Sequence, residues 1–108
     1  MRSARDFQSA IRGGRRSAAE TLVAHYSSGG PAGEPPRVGL AVSKSVGNSV
    51  VRHRVARRLR HAAAARVSLL PQGSLLVLRA RPAASSASSS QLAADLDRAL
   101  ARALGASR

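Results

Sequence analysis

The sequence predicts an α+β fold: a single-domain two-layer sandwich over residues 1–108, in the order αβ(β)βαβα, with a parallel strand–helix–strand crossover. Three observations carry that expectation. Segments of period 2 and period 3.6 alternate along the chain, separated by Gly-, Pro- and Ser-rich stretches. Residues 74–80 (SLLVLRA) form a continuous apolar run, the pattern of a buried central strand. A length of 108 residues suits one compact domain and leaves little room for a second.

Taken in order, residues 3–13 read as a short helix, with Ser3 as N-cap and Phe7, Ala10 and Ile11 on one face, ended by Gly13-Gly14. Residues 20–26 (ETLVAHY) read as a strand. The stretch 27–36 (SSGGPAGEPP) is a turn-rich loop. In 37–43 (RVGLAVS), Val38, Leu40 and Val42 alternate with Gly39, Ala41 and Ser43, so a strand with one small-residue face is expected. The longest helix is expected over 48–69, stopped by Pro71-Gln72-Gly73. After the 74–80 strand, 81–90 (RPAASSASSS) reads as a flexible loop. Its last serines can cap a final helix, with Ser88 and Gln91 as a capping box. In that helix Leu92, Leu96, Ala99, Leu100, Ala103 and Leu104 recur at helical spacing, and Gly105 ends it.

Composition narrows the function. Lys plus Arg total 18 against 5 acids, a formal charge of +13. Such a field attracts polyanions. Only Lys44 is a lysine, which fits a GC-rich coding sequence. Coding bias does not explain the charge imbalance. There are no cysteines, which excludes disulfides and thiolate metal sites. No run of about 18 apolar residues exists, and the N-terminus lacks a signal-peptide apolar stretch, so a cytoplasmic protein without a membrane is expected.

The 48–69 helix concentrates the charge. On a wheel of roughly 100° per residue, Val51, Val55, Leu59, Ala62 and Leu69 form an apolar stripe. Opposite it the reading places His53, Arg54, Arg57, Arg58, Arg60 and His61, with Arg52 at the stripe's edge. No acid occurs between Pro35 and Ala94. A solvated helix face ordinarily mixes signs, because like charges at i, i+4 repel. A phosphate-rich partner accounts better for this one, since a guanidinium forks onto phosphate oxygens. Lys44-Ser45-Val46-Gly47-Asn48 leads into the helix, with Gly47 freeing the backbone and Asn48 as cap. It lacks the nucleotide P-loop pattern.

At this point the chain resembles a known family. VGLAVSKSVGNSVVRHRVARRLR (38–60) is similar to the signature of the protein subunit of bacterial ribonuclease P: Ser-Lys at a strand end, Gly-Asn, then Arg-Asn-Arg and further cations on one helix. Here these are Ser43-Lys44, Gly47-Asn48, Arg52-His53-Arg54, and Arg57, Arg58 and Arg60. RDFQSAIRGGRR (5–16) and LLVLRARP (75–82) resemble the family's first helix and last strand. His53 stands where the family has Asn, and Ile11 stands where it has a second aromatic. The resemblance implies that the catalyst is an RNA subunit, which hydrolyses precursor tRNA to release its 5′ leader and requires Mg²⁺. It implies that the protein binds no cofactor itself and has the ribonuclease P RNA and precursor tRNA as partners. It also implies a left-handed crossover, where general rules would give a right-handed one.

By that resemblance Lys44, Asn48, Arg52, His53, Arg54, Arg57, Arg58 and Arg60 are expected to contact the RNA subunit. For Arg52 the alternative is a structural clamp on the sheet edge. Phe7, Ile11, Arg12, His25 and Tyr26 are expected at a leader cleft between the first helix and the sheet. Phe7 either stacks on a base or packs in the core. Of His25 and Tyr26 only one is expected in the cleft, because adjacent strand residues face opposite ways. The three histidines and five scattered acids make neither a metal site nor a hydrolytic set. The rival reading is a non-catalytic basic nucleic-acid-binding protein of ribosomal or nucleoid type. The strand–Gly-Asn–Arg-helix block argues against it.

Overall fold

The computed structural model describes residues 15–28 and 33–105. The expected helix at 3–13, with Phe7, Ile11 and Arg12, lies outside the described residues. The remaining elements are β1 (Arg15–Ala18), β2 (Leu22–Ser27), β3 (Arg37–Ala41), α1 (Ser49–Ala64), β4 (Leu75–Ala80) and α2 (Ser89–Gly105). They form one four-stranded mixed sheet in the order β1-β2-β4-β3, with the α+β class as expected.

β4 is central, antiparallel to β2 and parallel to β3. Leu75, Leu76, Val77 and Leu78 are all buried, which is why this strand reads as an unbroken apolar run rather than an alternation. Parallel pairing of β3 with β4 needs a crossover, and α1 supplies it. Register sorts the side chains onto two faces. Leu22, Ala24, Tyr26, Val38, Leu40, Leu76 and Leu78 lie in one core with Val55, Leu59, Leu92 and Leu96 from the helices. Leu75 and Val77 form a separate cluster on the opposite face. Full burial of each helix Leu contributes roughly 1.5–3 kcal/mol, so the two helices are held chiefly by their apolar stripes.

Four differences from the sequence reading have physical causes. Strand β1 fills the bracketed place in the expected order, but no segment was assigned to it, because RRSA carries no apolar alternation. It is stabilised by antiparallel pairing with β2, Arg15 opposite Tyr26 through Ala18 opposite Val23. The strand expected at 20–26 begins at Leu22, because Glu20 and Thr21 make the turn from β1. The long helix stops at Ala64 instead of 69. Arg66 folds back to donate from Nη1 to the Ala62 carbonyl at 2.9 Å and forks onto Asp97 of α2 at 2.5 and 3.1 Å. The chain then makes a short 3-10 turn over Val67–Leu69, and Leu69, expected on the apolar stripe, is exposed. Finally, 81–90 is not a free loop. Pro82–Ser86 is a 3-10 turn, and Ala84 and Ala87 are buried.

Two glycines serve identifiable purposes. Gly73 has φ 76°, the left-handed region, in the Pro71–Gly73 turn that feeds β4, and its N–H donates to the Glu34 carbonyl at 2.7 Å. A Cβ on Gly47 would lie 2.9 Å from both Cβ and Cγ1 of Val51. Gly47 has φ 158°, which L side chains rarely adopt, so this glycine both frees the backbone, as expected, and lets Val51 pack over the turn.

Candidate nucleic-acid interface

The candidate surface begins where β3 ends. Val46 is buried and anchors the 43–46 turn, which leaves Ser43, Lys44 and Ser45 exposed. The turn is closed by Val46 N–H donating to the Ser43 carbonyl at 3.1 Å and Gly47 N–H to that of Lys44 at 3.2 Å. Asn48 caps α1 as its side chain predicts: Oδ1 accepts from Val51 N–H at 2.9 Å. The first turn of α1 holds no acid. The positive end of the helix dipole is therefore left uncompensated beside Lys44.

The structure divides the predicted cations into three sets. Arg52, His53 and Arg60 line a groove of about 300 Å³ with Val42, Ser49 and Ala56, between the end of β3 and α1. Arg52 is half-buried, and its Nε is buried without a partner among the described residues. A buried N–H with no acceptor costs free energy, and an anion in the groove would relieve it. Arg57, with His61 beyond it, is exposed on the outermost line of the helix.

Arg54 and Arg58 form the third set and are not opposite the apolar stripe. Both are half-buried on its far flank. Arg54 Nη2 donates to the Ser85 carbonyl at 3.1 Å, and Arg58 Nη1 donates to the Ala87 carbonyl at 2.8 Å. The wheel position of Arg58, seven residues from Val51, already places it beside the stripe. These two arginines fasten the 82–88 segment to α1 with one donor each, and a guanidinium has five.

Of the second predicted set, one described residue lies on the opposite sheet face. His25 is there, with Arg16 of β1 beside it and Val77 of β4 on its other side. It is 3% exposed, and both ring nitrogens lack partners among the described residues. Burial, reinforced by the charges of Arg79 and Arg16, holds its pKa below the ordinary 6.5. Tyr26 is corrected: it faces the helices and lies in the main core, because its neighbour His25 takes the other face. Sequence reasoning missed Arg79 and Arg81. They line a groove of about 290 Å³ with Arg16, Val23, Ser43, Ser45 and their neighbours. The available signal was Arg79 at the third position of the Leu75, Val77, Arg79 alternation, an exposed cation in an otherwise buried strand.

Among the described residues, no group of three or more His, Asp or Glu is placed to hold a metal ion. No described helix is long and apolar enough to cross a membrane. What the surface can do is bind phosphates on α1 and admit a polyanion between Arg16, Arg79 and Arg81 on the far side of the sheet.

Comparison with known proteins agrees in family and fold. The Ribonuclease P family model matches residues 1–104. The ribonuclease P protein component of Streptomyces avermitilis is 50% identical over 112 residues, covering 97% of this chain and 91% of that protein. That of a Nocardioides species is 50% identical over 103 residues, covering 94% and 88%. The Staphylococcus aureus RNase P protein structure superposes with a TM-score of 0.84 at 24% identity, over 95% of this chain and 93% of that one. The Thermotoga maritima RNase P protein gives 0.80 at 22%, over 94% of each.

Proposed function

The chain belongs to the ribonuclease P protein family, and from that premise we propose how its surfaces divide the work of the holoenzyme. As the protein component it serves an endoribonuclease in which RNA carries the catalysis. The α1 surface, namely Lys44, Asn48, Arg52, His53, Arg57 and Arg60, holds the catalytic RNA. Arg54 and Arg58 add their remaining donors while bracing the 82–88 segment. The face bearing His25, with Arg16, Arg79 and Arg81, receives the 5′ leader of precursor tRNA. Phe7, Ile11 and Arg12 belong to that same cleft, and residues 1–108 act as one RNA-binding domain in the cytoplasm.

The observation that carries this reading is the groove of Arg52, His53 and Arg60, with a buried guanidinium N–H that has no partner among the described residues. Phosphate oxygens supply the missing acceptors in the geometry a guanidinium prefers. The Mg²⁺ on which the reaction depends is assigned to the RNA subunit. The protein's part is to bind, to orient the leader and to lower the repulsion between two polyanions.

The test is single-turnover cleavage of a precursor tRNA by a bacterial ribonuclease P RNA at low Mg²⁺, with and without the protein. Acceleration by the wild-type chain that Arg52→Ala plus Arg60→Ala abolishes is the expected result. Unchanged cleavage, together with equal affinity for duplex DNA and RNA, would replace this reading with a generic basic nucleic-acid-binding protein.

A further inference from the structure

The sheet has a second cationic edge. In the order β1-β2-β4-β3, β1 and β3 are the two outer strands, three strand spacings or roughly 14 Å apart. α1 packs beside β3, whereas α2 packs on β1 and β2. Between β1 and the C-terminal half of α2 runs a groove of about 530 Å³, lined by Arg15, Arg16, Ser17, Ala18, Arg102 and Ala103. It is larger than the groove of Arg52, His53 and Arg60, and no carboxylate among the described residues lines it.

We propose that this groove is a second phosphate-binding site, formed by Arg15 and Arg102 around the Ser17 hydroxyl and separate from both the α1 surface and the His25 face.

Three features support it. Ser17 is 6% exposed, and its hydroxyl has no hydrogen-bond partner among the described residues. A buried hydroxyl left unpaired costs free energy, and a phosphate oxygen would accept from it. Among the described residues Arg102 makes one hydrogen bond, from Nη1 to the Ala18 carbonyl at 3.3 Å, which holds the guanidinium at the groove. The nearest acid on the same helix face is already taken: Asp95 pairs with Arg98 at 2.5 Å and accepts from Thr21. The small side chains of Ala18 and Ala103 leave room for a ligand between the cations. Guanidinium forks plus a hydroxyl donor match tetrahedral phosphate oxygens. Either an RNA phosphodiester or free phosphate offers that chemistry.

The test is ¹H–¹⁵N NMR titration of the full chain with a uridylate decamer and, separately, with inorganic phosphate. The expected result is saturable shifts at the amides of Arg15–Ala18 and Arg102–Ala103 with the decamer. Arg102→Gln should weaken them about tenfold, the loss of one charge-assisted contact, while shifts over Ser49–Ala64 persist. Saturable shifts with inorganic phosphate but not with the decamer would also support the site and name free phosphate as its ligand. Shifts confined to Ser49–Ala64 with both probes would overturn the proposal and leave the α1 reading standing. Ser17→Ala gives a second readout. It should weaken groove binding several-fold without lowering the melting temperature, because the lost hydroxyl has no partner among the described residues. A lower melting temperature with unchanged titration would make Ser17 structural and sink its assigned role.

Discussion

Arg58 of α1 donates to the Ala87 carbonyl at 2.8 Å, across 29 positions of sequence. This bond and the parallel one from Arg54 to Ser85 turn two residues of a basic helix into fasteners for the segment that precedes α2. Arg57, between them in sequence, is exposed, so adjacent arginines have separable tasks. Arg58→Leu should lower stability by about 1–2 kcal/mol in urea unfolding, because the buried carbonyl loses its donor. Arg57→Ala should leave stability within about 0.5 kcal/mol. It should lower the slope of log K for RNA against log salt by roughly 0.7–0.9, one phosphate contact. Equal destabilisation by the two substitutions would contradict this division.

The turn between β1 and β2 is tied to α2 by Thr21, whose N–H and hydroxyl both donate to Asp95 Oδ2, at 3.1 and 2.5 Å. Burial alone would raise the Asp95 pKa, but the hydrogen bonds from Thr21 and Arg98 outweigh it and hold the carboxyl below its usual 3.8. A depressed folded value means the contribution is fully present above the unfolded value. It is lost as pH falls through the lower folded one. Asp95→Asn should therefore cost about 2–3 kcal/mol at neutral pH, since Thr21 is left with a poorer acceptor in a buried site. It should also flatten the loss of stability below about pH 4. Chemical unfolding at a series of pH values reads both.

His25 predicts a second pH effect with the same sign. Its folded pKa lies below 6.5, through burial and then the charges of Arg79 and Arg16, so the native state binds fewer protons than the unfolded chain just below that pH. Wild-type stability should rise with pH up to about 6.5 and then level off. His25→Gln should remove that rise while the acid limb from Asp95 remains. A slope unchanged in the variant would assign the effect to another group.

Entry into α1 depends on two neighbours. Asn48→Ala removes the cap to Val51 N–H and should cost about 1 kcal/mol. Gly47→Ala should cost at least as much, because the new methyl meets Val51 at 2.9 Å. Thermal melts followed by circular dichroism distinguish this from an open site, where Gly→Ala would stabilise.

Legibility in the sequence followed the range of the forces involved. The apolar stripe of α2, the run of β4 and the Asn48 cap are local patterns, and each appears where its pattern places it. The cations of α1 were legible only in part: helical spacing set His53, Arg57 and Arg60 opposite the stripe and Arg52 at its edge, but it also put Arg54 and Arg58 opposite, where the structure has them on the flank. Non-local partners were not legible. β1 is a strand because β2 offers it a ladder. The helix ends at Ala64 because Arg66 finds Asp97, and 82–88 is ordered because two arginines from α1 reach its carbonyls.

By itself, then, the sequence determined the types of β2, β3, α1, β4 and α2, most of their apolar faces, the net charge and the family. It did so because these depend on periodicity, capping and residue identity within a few positions. Only the tertiary structure decided which cations remain open to a partner, that His25 and not Tyr26 leaves the helix-packed core, and that Arg79 joins Arg16 across β2. Those outcomes depend on strand order and register. These are set by how apolar faces pack over long sequence separations, where no short pattern carries the information.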